Sequence, residues 1–291
     1  MAPCCPFCAF TSDSLSGYPR VVRFGTFYRK SDSKRIQRFR CLRCSNHFSF
    51  ATLHSCFRQN KRNKNEAVRR LLSSGVSQRR AARILNLNRT TIARKLIFLS
   101  QQARLLFDMD NVSKTKASIV EFDDLETFEH TKCKPLSVTL AVESGSRRIL
   151  GFQVSQMSAK GRLTRKAFKK YGFRKDERAR GRRSLFEQLQ PLIEEQAIIK
   201  SDSNPHYPAD VKKYFPNCHH QSFLGSRGST TGQGELKKIR FDPLFSLNHT
   251  CAKFRADINR LVRKTWCTTK KADRLTDHIA IYCQYHNQHL D

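Results

Sequence analysis

The chain has 291 residues, of which 38% are apolar, enough for one large core or roughly two to three smaller domains. Its 55 lysines and arginines against 24 aspartates and glutamates give a formal net charge of +31 at pH 7, and this predicts a polyanionic partner. No apolar run approaches the roughly 18 to 20 residues of a membrane-spanning helix, and no apolar signal segment opens the sequence. These features exclude an integral membrane protein and predict a cytosolic, nucleic-acid-binding one.

The first 58 residues predict a zinc ribbon. The 11 cysteines are odd in number, so metal binding by some of them is favoured over a disulfide framework. Cys5 and Cys8 form one Cys-x-x-Cys pair, and Cys41 and Cys44 form a second. Two such pairs complete a tetrahedral, structural Zn²⁺ site with no open position. Cys4 is an alternative to Cys5, but the two-residue spacing favours Cys5.

Residues 18–25 and 36–40 alternate apolar and basic side chains, as expected for a β-hairpin with a basic face, and residues 45–50 continue as a third strand. From residue 65 to about 103 the apolar positions change to helical spacing. Gly75 predicts the end of a first helix, Ser77 the start of a second, and Thr90 lies near the start of a third. We therefore predict an α-helical, helix-turn-helix domain at residues 62–105.

The third of these helices is the candidate recognition helix. Its exposed side is predicted to carry residue types that reach phosphates and base edges in a major groove: Arg89, Thr90, Thr91, Arg94 and Lys95. The alternative is an ordinary small helical domain with a charged surface. Residues 107–116 are polar and aperiodic, so they predict a linker before the next domain.

Residues 117–291 predict an α/β domain. Three strands are expected at residues 117–123, 136–144 and 148–155, followed by a very basic stretch at 160–183 and an amphipathic helix at 184–193. A fourth strand ends at Asp202, a short helix and a fifth strand follow, and a Gly-rich insertion lies near 224–243. A long basic helix is expected at 244–266, with Trp266 packed in the core or at the helix end.

Two apolar runs of this domain each end on an aspartate, Asp123 and Asp202. Buried strands hold such residues rigidly, and paired carboxylate oxygens are the ligands that Mg²⁺ prefers. Asp124 is an alternative to Asp123, but strand alternation directs it to the opposite face of the sheet.

The module order, together with residues 121–124, 201–207 and 259–267, resembles that of bacterial insertion-sequence transposases of the DDE superfamily. The resemblance covers essentially the whole chain and implies an RNase H-like, retroviral-integrase-like catalytic core. It implies that Asp123 and Asp202 are the first two ligands of Mg²⁺ or Mn²⁺ ions that serve phosphodiester cleavage and strand transfer. The family usually adds a glutamate near the start of the last core helix. Here that position falls on Asn248, with Glu235 as the rival third ligand.

The resemblance also implies partners and a location. Double-stranded DNA of the element's terminal repeats and of the target is the expected partner, with a homo-oligomer of at least two chains and no membrane. The location would be cytoplasmic, at the nucleoid of a bacterium. Basic residues of the last helix are expected to follow the DNA backbone: Arg255, Arg263 and Lys264. The alternative function is a DNA-binding regulator or a catalytically inactive copy.

Overall fold

The computed structural model describes residues 3–8, 21–30, 33–224, 242–262 and 266–290. The chain divides into two compact units, Met1–Glu66 and Ala67–Asp291. Together they contain helices and both antiparallel and parallel strand pairs, so the predicted α/β class is confirmed. Within the part of the chain that is described, no helix has the length and apolarity that crossing a membrane requires.

The first unit is a three-stranded antiparallel sheet with strand order β1-β2-β3. Its elements are β1 (Val21–Arg29), β2 (Lys34–Cys41), β3 (His47–Ser49) and the short helix α1 (Phe50–Leu53). The predicted strands are confirmed where they are described; residues 18–20 lie outside the described residues. Among the described residues, the buried hydrophobic core of this unit consists of Cys5, Cys41 and the tilted pair Phe39 and Phe48, whose ring centroids are 5.7 Å apart.

The second unit opens with the three predicted helices: α2 (Asn65–Leu72), α3 (Gln78–Ile84) and α4 (Arg89–Ser113). The Ser77 side chain caps α3 by accepting a hydrogen bond from the Arg80 N–H at 3.2 Å. Asn88 caps α4 in the same way, accepting from the Thr90 N–H at 2.9 Å. Gly75, after α2, has a φ of +73°, a conformation that favours glycine.

Helix α4 is longer than predicted, because it continues through most of the segment expected to be a linker. Phe107 and Asn111 are buried, and the Asn111 side-chain amide donates to the carbonyl oxygen of Ile149 at 3.3 Å. These tertiary contacts stabilise the helical conformation of a segment whose polar residues predict a linker. The three helices therefore belong to one compact unit with the α/β residues, and the domain bounds 62–105 and 117–291 stay predictions.

A five-stranded sheet follows, with strand order β6-β5-β4-β7-β8. The strands are β4 (Ala117–Phe128), β5 (Pro135–Glu143), β6 (Ile149–Gln156), β7 (Ile193–Asp202) and β8 (His219–Phe223). The first three form the predicted antiparallel meander, whereas β7 pairs parallel with both β4 and β8. The carboxyl ends of β4, β7 and β8 consequently meet at one edge of the sheet, which we call the carboxyl edge.

Helices cover both faces of this sheet. They are α6 (Arg178–Leu189), α7 (Tyr207–Tyr214), α8 (Phe245–Asp257) and α9 (Ala272–Gln288), while α5 (Leu163–Tyr171) lies in the connection between β6 and α6. One core cluster joins Phe122 to Phe186 of α6 and Tyr207 of α7. The other joins Leu140 to Phe254 of α8 and Tyr282 of α9.

Three sequence predictions need correction. Strand β4 does not end at Asp123, because residues as far as Phe128 pair with β5. The last predicted helix ends at Asp257 and not near residue 266, since the chain turns to bury Ile258 and Leu261 in the core. Trp266, expected to pack, is fully exposed.

Candidate metal centres and nucleic-acid surface

Four cysteines converge in the first unit, as predicted. The sulfur atoms of Cys5, Cys8, Cys41 and Cys44 all lie within 4.8 Å of one another. The Sγ of Cys5 is 3.6 Å from that of Cys44, and the Sγ of Cys8 is 3.8 Å from that of Cys41. A zinc tetrahedron with Zn–S bonds of about 2.3 Å has S···S edges of about 3.8 Å, so the cluster fits this ion. The exposed Cys4 is not a member of it.

The backbone around the second cysteine pair favours thiolates. The hydrogen bond from the Asn46 N–H, together with side-chain hydrogen bonds of Cys5 and Cys41, lowers the pKa of the Cys44 thiol to about 6, although burial acts in the opposite direction. Metal ligation requires the thiolate form. This turn therefore prepares Cys44 for a cation.

The aspartate pair lies at the carboxyl edge of the second unit. Phe122 of β4 is the parallel partner of Ser201 of β7, so the next residues, Asp123 and Asp202, are neighbours across the two strands. Asp123 Oδ1 accepts from the Asp124 N–H at 2.6 Å, and Asp202 Oδ1 accepts from the Asn204 N–H at 3.1 Å. These donors are neutral, so they satisfy the oxygen atoms without cancelling the charge.

Burial and repulsion both oppose ionisation of this pair. Burial raises the pKa of Asp123 to about 7, and the negative charge of Asp202 contributes to the increase. The pKa of Asp202 is also raised, mainly by burial, with a contribution from the charge of Asp124. Because ionising both carboxyl groups costs free energy here, a bound cation would stabilise the pair.

Tyr207 is a site residue to which the sequence assigned no role, although it lies within the motif at 201–207. Its hydroxyl donates to Asp123 Oδ1 at 3.2 Å, while its ring packs on Phe122 at a centroid distance of 4.8 Å. The guanidinium of Arg182 lies 5.1 Å from the ring centroid and is itself fixed by Asp210, whose Oδ2 accepts from its Nε at 2.7 Å. A buried, doubly packed phenol of this kind orients the first aspartate.

Glu121 connects helix α8 to β4, the strand that carries Asp123. Although 98% buried by area, its carboxylate is satisfied: Oε1 accepts from the Ser144 hydroxyl at 2.6 Å and Oε2 from the Leu247 N–H at 2.8 Å. Leu247 lies in the first turn of α8, where free N–H groups and the helix dipole favour an anion. The Gly145 N–H binds Ser246 of the same turn at 2.9 Å.

The candidate third ligand, Asn248, lies in the next position of α8 and is exposed. Its amide nitrogen donates to Asp242 Oδ2 at 2.8 Å. Cys251, also on α8, interacts electrostatically with Asp123. Burial raises the pKa of its thiol to about 12, and the negative charge of Asp123 adds to the increase. The rival ligand, Glu235, lies outside the described residues.

Four of the five predicted recognition-helix residues are accessible. Arg89, Thr90 and Arg94 are exposed and Thr91 is half-buried, whereas Lys95 is only 2% exposed. The prediction that Lys95 lies on the exposed side of the helix is therefore wrong, because its position on α4 faces the cluster of Val68, Ile92 and Leu96. On α8, Arg255 is half-buried, and its charge acts on Cys251 beside the aspartate pair. Arg263 and Lys264 lie outside the described residues.

Comparison with known proteins gives limited information. No protein-family model matches the sequence, and no curated protein matches it. Among solved structures, the chain is similar to the Mos1 strand transfer complex, with 10% identity over 79% of each chain and a TM-score of 0.23. It is also similar to the Mos1 mariner paired end complex with Mn, with 11% identity, 80% of this chain and 82% of that chain covered, and a TM-score of 0.20. At such TM-scores the function must be argued from the site itself.

Proposed function

We propose that the protein is a metal-dependent DNA transposase with a zinc ribbon, a helix-turn-helix domain and an RNase H-like core. The observation that carries this proposal is the delivery of Asp123 and Asp202 to one edge by two parallel neighbouring strands. Their raised pKa values mark an anionic pair that a divalent cation would stabilise. A net charge of +31 around such a pair fits a substrate that is itself a polyanion.

In this proposal Asp123 and Asp202 would hold Mg²⁺ or Mn²⁺. Such an ion would supply the Lewis-acid chemistry for attack of a water or 3′-hydroxyl on the phosphodiester and for departure of the leaving oxygen. Tyr207 orients the first carboxylate by its hydrogen bond. Glu121 fixes the start of α8 against β4, and so sets the distance between that helix and the pair. Asn248 is the proposed third ligand, with Glu235 as the alternative.

The remaining parts bind DNA. The Cys5, Cys8, Cys41 and Cys44 cluster holds a structural Zn²⁺, and α4 contacts the element's terminal repeats through Arg89, Thr90, Thr91 and Arg94. Arg255, Arg263 and Lys264 follow the backbone of double-stranded DNA. Pairing two element ends requires at least a dimer, and the proposed location is the nucleoid of a bacterium.

The test uses the DNA that flanks the protein's own coding sequence. With Mg²⁺, the full-length protein is expected to cut this DNA at the element ends, and Asp202→Ala is expected to abolish cutting while leaving binding unchanged. The matched control is Glu194→Gln, an exposed acid at the other end of β7. Unchanged cutting by Asp202→Ala would refute the enzymatic role.

One observation favours a second function, that of a DNA-binding regulator or inactive copy. Among the described residues, no third histidine, cysteine or acidic side chain joins the aspartates in a metal-sized group, and the Asn248 amide is bonded to Asp242. A regulator would bind the flanking DNA and leave it intact with either Mg²⁺ or Mn²⁺. Cutting by the unmodified protein excludes this alternative.

A further inference from the structure

The connection between β6 and α6 is strongly basic, and we call residues 160–178 the basic segment. It contains α5 and the following loop. Its basic residues are Lys160, Arg162, Arg165, Lys166, Lys169, Lys170, Arg174, Lys175 and Arg178, against two acids, Asp176 and Glu177. The proposed roles of the aspartate pair and of α4 do not account for it.

Five of these cations share one face of α5. Arg162, Arg165, Lys166, Lys169 and Lys170 recur at i, i+3, i+4, i+7 and i+8, the spacing of a single helical stripe. All five are exposed, and Ala167 is the buried residue of the helix. Like charges at this spacing destabilise a helix, so packing and helix stability do not explain the stripe. A polyanion bound along it would offset the repulsion.

The basic segment lies at the carboxyl edge, where the aspartate pair is. At its start, Lys160 Nζ contacts Glu126 Oε1 of β4 at 2.7 Å. Further along, Arg174 Nη1 is 3.7 Å from Glu129 Oε2, just beyond the end of β4. Glu126 is three residues beyond Asp123 on the same strand. The segment is therefore attached next to the site that would hold the scissile phosphate.

We infer that the basic segment is a second DNA-binding surface, which holds phosphates of the strand entering the carboxyl edge. This inference rests on the proposed function of that edge. The aspartates repel a phosphodiester, and the exposed cations of the segment that is attached to the same strand supply a compensating attraction. Phe168 and Phe173, which are 64% and 80% exposed, add apolar contacts of the kind that bases or sugars accept.

An anionic membrane surface is the other polyanion that such a segment could meet. A membrane-surface helix inserts an apolar face opposite its basic one. In α5 Ala167, which lies away from the stripe, is buried against the protein, and Phe168 is the one large apolar side chain of the helix that is exposed, which is too little for such a face. The geometry therefore favours DNA.

The test reverses two stripe charges in the full-length protein. The double variant Lys166→Glu/Lys169→Glu is expected to bind duplex DNA from the coding-sequence flanks about tenfold or more weakly, and to lower the salt dependence of log Kd by a slope of about 2. The matched control is Lys114→Glu/Lys116→Glu, which makes the same charge change at exposed positions before the first residue of β4, at the opposite edge of the sheet. The control is expected to retain most of the affinity.

Three results would overturn the inference. They are unchanged DNA binding by Lys166→Glu/Lys169→Glu, an equal loss in the control pair, or a loss confined to binding of phosphatidylserine vesicles. Cutting of the same DNA separates this inference from the proposed function. If the stripe variant loses affinity while the unmodified protein never cuts, the DNA-binding surface is supported and the transposase proposal fails.

Discussion

The two candidate metal centres of this chain differ in what a cation would do for the protein. The four cysteines form a closed set, and the described residues add only a small core of Phe39 and Phe48 to it. The aspartates Asp123 and Asp202 lie at the edge of a large core that is complete without an ion. The role of each metal site therefore follows from the number of its ligands and from their surroundings. Four thiolates around one ion stabilise a unit with a small core, whereas two carboxylates leave coordination positions for a substrate.

The largest expected effect is loss of the first unit on removal of zinc. Structural zinc contributes an apparent binding free energy of about 10–16 kcal/mol to folding in small domains. Cys41→Ser, or a strong chelator, is therefore expected to unfold residues 21–49 and leave residues 67–290 folded. Hydrogen exchange of the two regions measures this, with the exposed Cys4→Ser as the control. A first unit that stays protected without zinc would contradict the assignment.

Acid should weaken the second unit through one buried histidine. Burial, with the charge of Arg260, lowers the pKa of His278 from 6.5 to about 4, and its Nε2 lies 2.8 Å from the Leu72 carbonyl oxygen, joining α9 to α2. Because the unfolded chain takes up the proton first, this stabilisation is complete above pH 6.5 and is lost as the pH falls towards 4. At 1.36 kcal/mol per pKa unit the loss is about 3 kcal/mol.

The free energy of unfolding of residues 67–290, measured against pH, checks this expectation. His278→Gln keeps an amide donor for Leu72 but does not titrate, so its profile should be flatter between pH 4 and 6.5. His219→Gln, at an exposed histidine of β8, is the control and should leave the profile unchanged. A profile for His278→Gln as steep as that of the unmodified protein would be the contrary result.

Features that depend on neighbouring residues could be predicted from the sequence, whereas features that depend on tertiary contacts could not. The Cys-x-x-Cys pairs and the Ser77 cap depend on neighbours a few residues away, and both were found. The aspartate pair was also found, because parallel pairing brings strand ends together. The full length of α4 and the burial of Lys95 depend on contacts with other elements, so local sequence patterns do not predict them. Helix α9 was missed, although Leu275, Ile279 and Tyr282 follow helical spacing.

The carboxylate that positions α8 allows a smaller effect to be tested. Glu121→Ala leaves the Leu247 N–H and the Ser144 hydroxyl without their acceptor in a buried place, which costs about 1–3 kcal/mol. Thermal unfolding of the second unit measures this loss. Glu126→Ala, on the exposed carboxylate that pairs with the exposed Lys160, is the comparison, and a smaller loss is expected there. An equal loss of stability in both variants would contradict the proposed positioning role of Glu121.

The effect of Mg²⁺ on stability shows most directly how the two centres differ. If the aspartates bind Mg²⁺ without building the fold, the ion should stabilise the second unit only by mass action, by up to about 2.7 kcal/mol at a hundred times Kd. Asp123→Asn/Asp202→Asn should abolish this Mg²⁺-dependent shift yet fold without metal, because it removes two repelling buried charges. Differential scanning calorimetry with and without Mg²⁺ measures both, with Glu194→Gln retaining the shift. A double variant that fails to fold would mean that the aspartates, like the cysteines, hold the structure together.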